Sequence, residues 1–176
     1  MPRNIEIKAA LGDLGGLDTL LPRARALSGA EPTLIEQDDT FFRVPHGRLK
    51  LRQFADGSAE LIHYHRPDSG EAKASDYVRV AVPDAAALRE ALVRGCGLLG
   101  RVRKQRWLLI VDEDGFSTRV HLDRVEGLGD FMELEVVLKD HQADAAGAAV
   151  AQALMGRLGL QHARRLSGSY LDLMST

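Results

Sequence analysis

Apolar and polar residues alternate with a period of two along much of this chain, and follow a helical period in only a few stretches. Ile5, Ile7 and Ala9 fall on one face of an extended segment while Asn4, Glu6 and Lys8 fall on the other. The same alternation predicts strands over Arg3–Leu11, Leu34–Arg43, Arg48–Phe54, Ala59–Arg66, Tyr77–Val82, Arg101–Val111, Phe116–Val125 and Asp130–Leu138. Ala55-Asp56-Gly57-Ser58 supplies the positive backbone angles of a tight hairpin, and Asp112-Glu113-Asp114-Gly115 closes a second one. Helical spacing is confined to Leu14–Leu27, Ala85–Arg94, an alanine-rich stretch over Ala143–Leu158 and a short turn at Tyr170–Met174. Asp84 is a suitable N-cap for the second helix, which Gly95 and Gly97 should stop. Pro22 inside the first helix, where an interior proline costs about 3 kcal/mol, predicts a kink or two short pieces. The polar loop from Pro67 to Lys73 is a candidate flap.

The polar faces of these strands are unusually ionic. One phase carries Glu6 and Lys8; Arg48, Lys50 and Arg52; Lys104 and Arg106; Arg119, His121 and Asp123; Glu133 and Glu135. The opposite phase carries Ile, Leu, Val and Trp107, which must be covered, and the helices are there to cover it. An open sheet would leave the ionic faces in solvent, whereas a closed barrel gathers them into a polar bore. Repulsion among its cations makes such a bore costly when empty, unless acids, a metal or a polyanion offset it. Arginine forks grip phosphate oxygens and a hard divalent ion takes carboxylate oxygens, so the pattern suits a metal-bound polyphosphate.

The chain has 176 residues, enough for one substantial core, and a single domain over 1–176 is expected. A formal net charge of -2 argues against a general polyanion binder, and nucleic acid is not an expected partner because stacking aromatics are sparse. The lone cysteine, Cys96, excludes an intrachain disulfide and a cysteine-based metal site; a packed thiol near a helix end is expected. No apolar run approaches the roughly 20 residues of a membrane helix, and the start of the chain lacks a signal-peptide core, so a cytoplasmic protein with no membrane association is expected.

Asn4-Ile5-Glu6-Ile7-Lys8 resembles the ExExK signature of the CYTH superfamily, the triphosphate tunnel metalloenzymes, and His121–Glu135, HLDRVEGLGDFMELE, resembles the C-terminal signature of its CyaB-like branch. Gln37–Phe42 (QDDTFF), Gly47–Arg52 (GRLKLR), Lys104–Arg106 (KQR) and Ser169-Tyr170 extend the resemblance over nearly the whole chain. It implies an α+β fold, an eight-stranded closed antiparallel β-barrel with a charged interior and helices outside. It implies Mg²⁺ or Mn²⁺ on Glu6, Glu133 and Glu135, and phosphate contacts from Lys8, Lys50, Arg52, Lys104, Arg106 and Arg119. Glu6, Lys8, Asp123, Glu133 and Glu135 form the implied catalytic set, with Asp123 or His121 positioning metal or water. Two positions depart from the pattern. Asn4, a neutral ligand, replaces the first acid, and His65, followed by Arg66, stands where many relatives place a lysine, so that a phosphate contact there depends on pH.

The implied activity is that of a class IV adenylyl cyclase, converting ATP to cyclic AMP and pyrophosphate. Hydrolysis of tripolyphosphate, thiamine triphosphate or a nucleoside triphosphate uses the same apparatus, and a non-catalytic polyphosphate-binding module is a third outcome. A homodimer is compatible with the resemblance. Taken alone, Glu133 and Glu135 read more readily as solvated edge-strand residues, and only Glu6 and the basic strands together turn the balance toward a metal site. His63 and His65, an i, i+2 pair with no third histidine in phase, argue against a transition-metal site. Trp107 and Phe116 are expected to pack in the core.

Overall fold

The computed structural model describes residues 3–65, 73–74 and 76–174; Arg66 and the candidate flap over Pro67–Lys73, except Lys73, lie outside them. The strands are β1 (Arg3–Ala10), β2 (Thr33–Phe42), β3 (Arg48–Phe54), β4 (Ala59–His65), β5 (Lys73–Ala74), β6 (Asp76–Ala81), β7 (Leu98–Glu113), β8 (Phe116–Val125) and β9 (Gly129–Leu138). They form one antiparallel sheet in the order β5-β1-β9-β8-β7-β2-β3-β4-β6. Only residue 75 separates β5 from β6, so the two ends of this order are neighbours along the chain. The seam is held by two register pairs, Ile5 with Ala74 and Glu6 with Lys73. Eight principal strands therefore curl as expected, but the sheet is a half-barrel joined at a narrow seam, and "closed" overstates it. The two-residue strand β5 is too short to show a period, which is why alternation did not reveal it.

Both hairpins form. Asp114 (φ 52°) and Gly115 (φ 77°) make the two-residue turn between Glu113 and Phe116, the mirror-image type whose twist matches the flanking strands. The turn after Phe54 is longer; Gly57 takes φ 87°, and Asp56 Oδ1 accepts from the Ser58 amide at 2.9 Å.

Helices cover the apolar outer face. A 3₁₀ turn (Gly12–Leu14) precedes α1 (Gly16–Ser28), and α3 (Asp144–Arg157) packs beside it. Leu17, Leu20, Val150, Ala151 and Leu154 meet Ile5, Ile7, Leu109, Val120, Leu122 and Leu134 in the main core. Pro22 does not break α1, and the interruption falls instead at Gly15. The ring lies on the exposed side of the helix, where the carbonyl it leaves unbonded can be hydrated. Helix α2 (Ala85–Cys96) is capped by Asp84, which accepts from the Ala87 amide at 3.0 Å, and it covers Phe42, Leu51 and Ala59. It runs through Gly95, so Cys96 is exposed at its end, not packed. Trp107 and Phe116 both join the main core. The short α4 (Tyr170–Met174) lies at one end of the barrel. No described helix is long and apolar enough to cross a membrane.

Candidate active site

The inward face of the sheet encloses a cavity of about 410 Å³. Strand alternation decides what lines it. Asn4, Glu6 and Lys8 of β1 enter, as do Gln37, Asp39 and Phe41 of β2 and Lys50 and Arg52 of β3. Lys104 and Arg106 of β7, Arg119 and His121 of β8, and Glu133 and Glu135 of β9 complete the charged wall. A larger depression of about 820 Å³ lies on the outer surface among Asp38, Arg101, Arg103 and Arg124. Several of its charged groups are paired with neighbouring acids, Arg101 and Arg103 with Asp38 and Arg124 with Asp130, whereas the acids and cations of the inner cavity face a common space.

Register brings the three glutamates together. Glu6 is the cross-strand partner of Glu135, and Glu133 lies two residues from Glu135 on the same face. One carboxylate oxygen from each lies within 4.8 Å of the others. Burial raises the pKa of Glu135, and the neighbouring carboxylates of Glu133 and Glu6 raise it further. Burial would raise that of Glu133 too, but Lys8 and Arg106 outweigh it and hold the carboxyl well below the usual range. Crowded acids of this kind are what a divalent cation relieves, so oxygen donors and electrostatics both fit a hard ion. Among the described residues, Asn4 Oδ1 and His121 Nδ1 are buried without a hydrogen-bond partner. The Asn4 amide donates to Glu6 at 3.4 Å, and His121 Nδ1 lies 3.7 Å from Glu135, so both unpartnered atoms border the cluster. Burial, with Arg106 nearby, pushes the His121 pKa well down, so its imidazole is neutral.

The cations are held by acids of their own. Asp123, with none of its surface exposed, accepts two bonds from Arg106 at 2.7 Å each and one from the Tyr170 hydroxyl at 2.8 Å. Lys104 Nζ is 3.5 Å away. Arg106 also reaches Glu133 at 3.2 Å, Lys8 lies 3.8 Å from Glu133, and Arg119 lies 3.3 Å from Glu135. Asp39 accepts from Arg52 Nε and Nη2, both at 2.7 Å, and from Lys50 Nζ at 3.1 Å. Burial opposes its ionisation, yet Arg52 and Lys50 hold its pKa far below the usual carboxylate range. Burial and the neighbouring arginines push Lys50 down to about 8 and Lys104 down to about 7.

Of the residues singled out from sequence, Glu6, Lys8, Lys50, Arg52, Lys104, Arg106, Arg119, Glu133 and Glu135 all line one cavity. Asp123 lies beneath it, engaged by Arg106, Tyr170 and Lys104. His65 does not join them: Glu60, Ile62 and Tyr64 carry the inward phase of β4, and His65 is exposed in the opposite phase. Asp39 and Tyr170 were part of recognised motifs but had been given no role. Asp39 shares its phase with Gln37 and Phe41, and its cross-strand partner is Arg52, so pairing register was the signal that could have found it. Nothing local in the sequence marks Tyr170, whose partner Asp123 is far away along the chain.

The CYTH domain family model matches residues 2–170. None of the curated proteins matches the chain. Among solved structures, the PH1012 protein of Pyrococcus horikoshii OT3 superimposes with a TM-score of 0.79 at 24% identity, covering 97% of this chain and 98% of that one. A conserved hypothetical protein of Pyrococcus furiosus gives 0.79 at 23% identity, covering 97% and 99%. A candidate adenylate cyclase of Vibrio parahaemolyticus gives 0.76 at 21% identity, covering 98% of each chain. At these identities the superpositions show the shared fold.

Proposed function

Because the chain belongs to the CYTH family, whose members are generally enzymes acting on triphosphates, we propose that it is a divalent-metal-dependent enzyme taking a triphosphate into its bore, as a class IV adenylyl-cyclase-like protein acting on ATP. One observation carries the reading. Three clustered carboxylates and six inward cations, Lys8, Lys50, Arg52, Lys104, Arg106 and Arg119, line a single cavity.

Glu6, Glu133 and Glu135 would hold Mg²⁺ or Mn²⁺, which when bound supplies Lewis-acid polarisation of phosphoryl oxygens. Lys8, Arg106 and Arg119, now tied to Glu133 and Glu135, become available for phosphate once those carboxylates serve the cation. Arg106 and Arg52 are held as planar forks by Asp123 and Asp39, so their geometry is set before substrate arrives. Lys104, lowered to about 7, is poised to gain a proton as the anion enters. The neutral imidazole of His121, with Nδ1 unpartnered beside the glutamates, can accept a hydrogen bond from an attacking hydroxyl or water and so orient it.

A triphosphatase is the second reading. The cavity, about 410 Å³, is near the small end for ligand sites, and charged groups dominate its wall, which suits phosphates better than a nucleoside. Incubation with Mn²⁺ and ATP, tripolyphosphate or thiamine triphosphate, followed by product separation, decides between them. Cyclic AMP with pyrophosphate supports the cyclase, and orthophosphate supports the hydrolase. Binding with no product overturns both in favour of a binding module.

A further inference from the structure

One end of the bore is filled by the chain itself. Because neighbouring strands are antiparallel, the C-terminal ends of β1, β2 and β8 gather with the N-terminal ends of β3, β7 and β9. Across that end Leu166, Tyr170 and Leu171 form a buried cluster with Phe41, Val102, Val125 and Phe131. The Leu166 amide donates to the Lys8 carbonyl at 2.9 Å, and the Ala10 amide to the Arg164 carbonyl at 3.1 Å. Arg48, at the start of β3, donates to Ser169 Oγ at 2.6 Å and to Asp172 at 2.8 Å. The wall is shaped to admit this segment, since a Cβ added at Gly100 would lie 2.4 Å from Leu171 Cδ1.

Tyr170 lines the cavity from this end. Its hydroxyl donates to Asp123, and its ring lies under Lys8 Nζ and Lys104 Nζ, at 4.4 and 5.1 Å from its centroid. Exposure rises away from it: the side chains of Lys104 and Lys8 are 5% and 8% exposed, those of Arg119 and Arg79 41% and 55%.

We infer that the bore is a blind cup, entered from the Arg119 and Arg79 end, with Tyr170 as its floor, so that it takes the free end of a phosphate chain and cannot be threaded by one. The inference rests on the triphosphate reading and narrows it to ligands presenting a terminal phosphate run. A linear polyphosphate has two ends, so it engages no more than two protein molecules whatever its length. A bore open at both ends would let further molecules load along the same chain.

The test measures protein bound per chain by analytical ultracentrifugation, using the intact protein with Mg²⁺ at about 0.15 M salt, where exposed charges are screened beyond roughly 8 Å. The probes are tripolyphosphate and two linear polyphosphates differing severalfold in length, with length checked on a gel afterwards. No more than two molecules per chain at both lengths is the expected result. A number that grows with length, while tripolyphosphate binds one to one, overturns the blind cup alone. Failure of tripolyphosphate to bind overturns the triphosphate reading, and this inference with it.

Discussion

Replacing Asp39 with Asn should destabilise the fold far more than loss of a surface charge. The carboxylate is buried and takes three hydrogen bonds, from Arg52 Nε, Arg52 Nη2 and Lys50 Nζ, whose side chains are only 13% and 14% exposed. Asn keeps the volume and removes the charge, leaving two buried cations side by side. Removing one partner of such a buried arrangement costs about 3–5 kcal/mol, against about 0–1 for an exposed pair. For a domain of this size each kcal/mol lowers Tm by about 2–4 °C, so a fall of roughly 6–20 °C is expected in a thermal melt near pH 6. The penalty should shrink toward pH 9, because Lys50, already lowered to about 8, can shed its proton once its acidic partner is gone. In the wild type the sign is opposite at the acid end. Asp39 has a folded-state pKa below its unfolded value near 3.9, so its contribution is complete above that pH and is lost as pH falls below it. A Tm change under about 3 °C at pH 6, or a penalty that grows with pH, would refute the reasoning.

Other consequences can be checked separately. Lys104 has a folded pKa of about 7 against an unfolded value near 10.4, so the unfolded chain holds the extra proton between them and stability from this group rises with pH across that window. Tripolyphosphate binding at pH 8 should accordingly take up on the order of one proton, read as a buffer-dependent calorimetric enthalpy; buffer independence sinks the assignment. Glu135→Gln should weaken Mn²⁺ binding, followed by electron paramagnetic resonance, by more than about tenfold while circular dichroism stays native, since even outer-shell losses have effects of that size. Unchanged Mn²⁺ affinity would remove Glu135 from the ligand set. Tyr170→Phe, which keeps the ring and loses the bond to Asp123, should lower tripolyphosphate affinity less than Tyr170→Leu, which also removes the surface beneath Lys8 and Lys104. Equal losses would show that the ring does not position those lysines.

Period-two alternation was enough to place eight strands within a few residues, because a strand with one ionic and one apolar face has only one register that buries the right side. It also carried the choice of inward residues on β1, β3, β7 and β9, so most of the site could be read from phase alone. His65 shows the limit, since its motif position suggested an inward cation while the phase of Ile62 and Tyr64 turns it outward. Cys96 shows another, because a helix running two residues past its expected end carried the thiol into solvent. The sequence by itself determined the inside-out character of the barrel, the identity of the charged lining and the helices that cover its apolar exterior. Only the tertiary structure decided which acids face which cations, how narrowly the seam is held, and which end the C-terminal segment fills. Those depend on register between strands distant in the chain and on where Leu166, Tyr170 and Leu171 come to rest. Local pattern carries no record of such contacts, because their free energy appears only when the segments meet.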